Sequence, residues 1–219
     1  PYFIIEEEIS ALGWRGIRFT LDHPEIFSAQ IRAMLKASIG LNNLHILLPM
    51  VTSTSEVEEV LYLLERDWLA VQEEEQVKIT KPKIGIMVEV PSVLFQIDEF
   101  SELVDFFSVG SNDLTQYLLA VDRNNPHVAN VYSHFHPSVL RALKRLAQDC
   151  RQYQKPVSVC GEMAGDPLAA ILLMAMGFNT LSMSSSNILR VRKAICHVPM
   201  SDAKKLLDDV LKMNNPLLI

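Results

Sequence analysis

Five short apolar runs constrain this sequence more than any other feature. They cover residues 45–51, 84–88, 106–109, 157–160 and 180–183, and segments with helical periodicity separate them. Each run is almost continuous in apolarity instead of alternating, as in strands buried on both faces of a parallel sheet. Strand, helix, strand in unbroken succession needs crossover connections, so the pattern predicts an α/β fold built on parallel βα units.

The intervening segments read as helices. Val57, Val60, Leu61, Leu64, Trp68 and Val71 recur at helical spacing, and Ser55 with Glu58 has the form of a capping box. Further helices are predicted over 24–38, with Asp22 as its cap, and over 137–153, 167–176 and 201–213. Three of these open on Pro, whose missing N–H costs nothing in a first turn. The run Glu73-Glu74-Glu75 reads as a solvated helix end, and Met174, Met176 and Met183 as core filling.

Composition narrows the class. Of 219 residues, 49% are hydrophobic, enough for one substantial core. The longest apolar stretch, Leu168 to Phe178, falls short of the roughly 18 to 20 residues that cross a bilayer, so no membrane insertion is expected. The N-terminus lacks a basic segment ahead of an apolar one, which sets the expectation of a cytoplasmic protein. With 26 acidic against 20 basic residues and no dense basic run, nucleic acid is not an expected partner. Cys150, Cys160 and Cys196 have no metal-ligand spacing; Cys150 and Cys196 read as packed small residues. His134 and His136 are spaced like a strand pair, without a third ligand for zinc.

In parallel α/β folds, chemistry gathers beyond the C-terminal ends of the strands. Glu89 follows the second run; Gly110, Ser111, Asn112 and Asp113 follow the third; Cys160, Gly161 and Glu162 close the fourth. Glu89 and Asp113 are hard oxygen donors suited to magnesium, or else helix caps. Arg15 and Arg123 are candidates to clamp a phosphate or carboxylate, or are merely solvated. Cys160 could give a proton to a carbanion, or pack as a small apolar group. Ser184, Ser185 and Ser186 could form an anion-binding turn or cap a helix.

Longer motifs go further. Asp105 to Asn125 resembles the signature of phosphoenolpyruvate (PEP)-utilising enzymes, and residues 13–18, 85–91 and 159–165 match that family's other landmarks in order. Within it the chain resembles the enzyme I type PEP-protein phosphotransferases, most of all their nitrogen-regulatory branch. It departs at Ile9-Ser10-Ala11 and at His45, where the family has Asn-Pro-Phe and commonly an arginine.

The resemblance implies a TIM-type (β/α)8 barrel of the PEP/pyruvate superfamily, of which this chain would hold about the last five βα units. Residues 1–219 would form a C-terminal PEP-binding domain, incomplete on its N-terminal side, with the phosphohistidine and carrier-binding domains absent. Carried over by residue, Arg15 and Arg123 hold the substrate phosphate with help from Asn112 and the Asp113 backbone, Glu89 and Asp113 ligate Mg2+, and Cys160 protonates the enolate to give pyruvate. The implied partners are PEP and pyruvate, an HPr-like phosphocarrier, and a second copy of the chain. A catalytically silent PEP-sensing and dimerisation module, or part of a PEP synthase or pyruvate phosphate dikinase, stays open as an alternative. An open barrel would also leave strand edges unpaired unless a partner or residues 1–9 cover them.

Overall fold

All five apolar runs become strands of one sheet. In the computed structural model, which describes residues 10–215, β1 (His45–Leu48), β2 (Lys83–Val88), β3 (Phe106–Gly110), β4 (Val157–Cys160) and β5 (Thr180–Leu181) lie side by side in chain order. Every neighbouring pair is parallel. Parallel strands in chain order with helices between them are successive βα units of a TIM-type barrel. Among the described residues the sheet is open, with β1 and β5 each paired on one side. The expectation that residues 1–9 cover an edge lies outside the described residues.

Two strands end before their apolar runs do. Pro49 has no N–H to extend β1 and Met50 turns to φ 60°. β5 has two residues, although Ser182 N–H still donates to the Val159 carbonyl at 2.8 Å.

The helices are α1 (Ile17–Asp22), α2 (Pro24–Ala37), α3 (Thr54–Glu75), α4 (Ile97–Leu103), α5 (Ser111–Leu119), α6 (Pro137–Gln152), α7 (Glu162–Gly165), α8 (Pro167–Met176), α9 (Ser185–His197) and α10 (Met200–Lys212). None of them is long and apolar enough to cross a membrane. Several local expectations are corrected. The capping box of α3 is Ser53 with Glu56, two residues earlier than Ser55 with Glu58; Ser53 N–H donates to Glu56 Oε2 at 2.9 Å. Asp22 closes α1 instead of capping α2, because its carboxylate accepts the Trp14 indole N–H at 2.6 Å. Glu74 and Glu75 are not merely solvated: Arg32 and Lys36 of α2 pair with them. Ser184 stands at the N-cap of α9, but its hydroxyl meets that of Ser186. Cys196, expected to pack, is exposed on α9, beyond the last strand, while Cys150 is fully buried.

The period of two sorts the strand residues onto two faces. Ile46, Leu48, Ile84, Ile86, Val88, Phe107, Val109 and Val159 are buried beneath the helices with Leu64, Phe100, Leu140, Leu143 and Leu172. Leu47, Met87, Phe106, Ser158 and Cys160 point to the opposite, half-open face. On that face Ser158 donates to the Ser108 hydroxyl at 3.0 Å. Of the expected core methionines, Met176 is buried, Met174 packs on the core's margin and Met183 is half-buried in a groove beside β5.

Candidate active site

Strand register assembles the site. Val88 is level with Val109 and Val109 with Val159, so Glu89, Gly110 and Cys160 occupy the next rung, at the C-terminal ends of three adjacent strands. The rung works only because its middle residue is glycine. A Cβ on Gly110 would stand 2.8 Å from Glu89 Oε2 and 2.9 Å from the Met87 sulfur, so its absence is the space into which the carboxylate reaches.

Glu89 is 2% exposed, and Oε1 accepts the Met50 N–H at 2.7 Å. That bond explains why Met50 holds positive φ: the turn aims its amide at the carboxylate. Glu89 therefore caps no helix. Burial, opposed by the Met50 bond and reinforced by the nearby Asp113, lifts its carboxyl from 4.5 to about 6.

Asp113 lies in the first turn of α5 and is 8% exposed. Both candidate arginines converge on it. Arg15, in the turn before α1, places Nη2 3.0 Å from Oδ2, and Arg123, beyond the end of α5, places Nη1 3.4 Å from Oδ1. At Oδ1 no hydrogen bond forms, which leaves a buried acceptor free of a well-aligned donor. Arg123 is itself held through its backbone N–H, which donates to Gln116 Oε1 at 3.1 Å.

Cys160 is half-buried, with Sγ 3.2 Å from the Val109 carbonyl, to which it donates. Burial pushes the thiol upward, only partly offset by Ser108, so it stays protonated at neutral pH. The turn after it is tied to α5. Ser111 Oγ donates to the Cys160 carbonyl at 2.6 Å, and Glu162 N–H donates to Asn112 Oδ1 at 3.1 Å. Gly161 permits both, at φ 94° and with Ser111 Oγ 2.5 Å from where a Cβ would sit. The side-chain oxygen of Asn112 is thus spent on the loop.

All six expected site residues, Arg15, Glu89, Asn112, Asp113, Arg123 and Cys160, lie at this one rim. The sequence reading missed Tyr132, whose hydroxyl donates to the Asn112 carbonyl at 3.2 Å, and Met50. His136 instead caps α6, accepting the Ser138 N–H through Nδ1, and half-buried His134 packs its ring on Phe135. An apolar cavity of about 480 Å3 adjoins the rim behind Met50, Gln116 and Tyr117.

The donor set suits a hard divalent ion that keeps water. Two carboxylates meet here, one with an oxygen left without a hydrogen bond, and no group of three or more His, Cys, Asp or Glu among the described residues makes a closed cage.

Residues 1–200 match the family described as PEP-utilising enzyme, PEP-binding domain. The chain belongs to this family. Similarity to curated members is high: 50% identity over 206 residues, 94% of this chain, to a Salmonella typhimurium protein named phosphoenolpyruvate-dependent phosphotransferase system, and 41% over 201 residues, 92% of the chain, to the phosphoenolpyruvate-protein phosphotransferase of Haemophilus influenzae. The chain spans only 28% and 35% of those relatives' lengths. Among solved structures, a citrate lyase from Burkholderia xenovorans superposes on 83% of this chain and 58% of its own with a TM-score of 0.57 at 19% identity. A pyruvate kinase from Cryptosporidium parvum does so on 83% and 38% with a TM-score of 0.54 at 13% identity. Those likenesses speak to the fold alone.

Proposed function

We propose that the rim binds PEP together with Mg2+ and that the chain is the substrate-binding part of a PEP-protein phosphotransferase. The observation that carries this is the convergence of Arg15 and Arg123 on the Asp113 carboxylate, with Glu89 and the protonated thiol of Cys160 on the same rung of the sheet. In this reading the two guanidiniums receive the phosphate, where planar donors can pair with several oxygens at once. Asn112 and the first-turn amide of Asp113 add uncharged donors from the start of α5. Glu89 and Asp113 would hold Mg2+, which supplies positive charge where enolate negative charge develops.

Transfer breaks the bond between phosphorus and the enol oxygen, and the phosphoryl group passes to an acceptor histidine outside this chain. The electron pair of that bond stays with the enolate. Cys160 S–H then donates its proton to the methylene carbon, a C–H bond forms, and pyruvate leaves; the thiolate regains a proton from solvent. A thiol lifted above its ordinary value is in the correct state to act as that acid. The same reading makes the parent protein a cytoplasmic homodimer that serves an HPr-like phosphocarrier.

The chemistry can be tested without the acceptor, because protonation run backwards removes a methyl proton from pyruvate. In D2O with Mg2+, the chain should wash the methyl proton signal of pyruvate out of the NMR spectrum, and Cys160→Ala should not, while still binding PEP. Equal exchange by the variant removes Cys160 from the mechanism.

A further inference from the structure

The two arginines assigned to the phosphate already hold an anion. Arg15 hydrogen-bonds one oxygen of Asp113 at 3.0 Å and Arg123 lies at ion-pair distance, 3.4 Å, from the other, so the two guanidiniums flank one anion as they would flank a phosphate. Neither arginine pairs with another carboxylate among the described residues, and their side chains are 41% and 36% exposed, so both can swing toward an incoming ligand. Glu89 plays no such part: its Oε1 is engaged by the Met50 N–H, and no arginine pairs with it.

Local charge points the same way. Two arginines face two carboxylates, so an anion that approaches ahead of a cation meets little net attraction. If Asp113 turns toward a divalent cation beside Glu89, the carboxylate leaves the clamp and two positive charges are added at one stroke.

We infer that Asp113 acts as an internal stand-in for the substrate phosphate, occupying the Arg15 and Arg123 clamp until a divalent cation claims its carboxylate. This rests on the PEP reading above and adds an order of events to it: cation first, phosphorylated ligand second. Binding of the two is then positively coupled, and the coupling is reciprocal.

The test uses inorganic phosphate as probe, titrated calorimetrically into the chain at pH 7.5 with and without Mg2+. Wild type should bind phosphate weakly without Mg2+ and more tightly with it. Asp113→Asn should bind phosphate about tenfold more tightly than wild type without Mg2+, equivalent to about 1.4 kcal/mol, and should no longer respond to the ion. Asp113→Ala frees the clamp without introducing an amide and should behave alike. Glu162→Gln removes one negative charge from the exposed first turn of α7, next to the rim, touches neither the clamp nor the cation ligands, and should stay near wild type without Mg2+. The switch is overturned if neither Asp113 variant gains affinity, or if Glu162→Gln gains as much, since simple repulsion would then suffice. A parallel titration of wild type with PEP and Mg2+ separates the two claims: no binding there overturns the PEP reading, whereas binding alongside ungained Asp113 variants overturns the switch alone.

Discussion

Glu89 should make the protein less stable at neutral pH than it would be with an uncharged residue in its place. Burial favours the neutral carboxyl in the fold and does nothing to it in the unfolded chain, so folding raises its value from 4.5 to about 6. The stability this group contributes is therefore fully present below pH 4.5 and is lost as the pH rises through about 6. A shift of that size corresponds to roughly 2 kcal/mol. Glu89→Gln keeps the oxygen that accepts the Met50 N–H and abolishes the charge. At pH 7.5 the variant should be more stable by about 2 kcal/mol, which in a domain of this size means a melting temperature roughly 4 to 8 °C higher. At pH 4 the two proteins should melt together. Thermal and urea unfolding of both from pH 4 to 8 reads this directly. A variant no more stable at pH 7.5, or a gap that does not close on acidification, would refute the argument that a desolvated carboxylate is held here for function.

Gly110→Ala should push Glu89 and Met87 aside, costing about 1 to 3 kcal/mol of stability as overpacking does, and should weaken PEP binding in the presence of Mg2+ when both are measured by melting and titration. Ser53→Ala should cost about 1 kcal/mol through loss of the α3 cap, whereas Ser55→Ala should stay within about 0.5 kcal/mol, as chemical denaturation can show.

The strands were legible because short apolar runs set between helical segments mark a parallel sheet, whereas the longer run from Leu168 to Phe178 is too long for one strand and forms α8. The rim was legible because strand ends share one side of such a sheet, which brought Glu89, Asp113 and Cys160 together before any distance was known. Local endings were not. Ser53 with Glu56 and Ser55 with Glu58 satisfy the same capping pattern, and the choice falls to how the chain leaves Pro49 and Met50, a tertiary matter. Met50 and Tyr132 carried no periodic signal, because their roles arise from contacts to Glu89 and Asn112, 39 and 20 residues away. The double hold on Asp113 was equally invisible, since Arg15 comes from 98 residues earlier in the chain.

The central claim, that this rim is a PEP site, is tested most directly by titrating PEP into the chain with Mg2+ present and repeating the titration with Arg123→Ala. Saturable binding that depends on Mg2+ and falls at least tenfold in the variant is predicted, as expected for loss of a charged hydrogen bond to phosphate. Binding of equal strength by wild type and variant, or none by either, would contradict it.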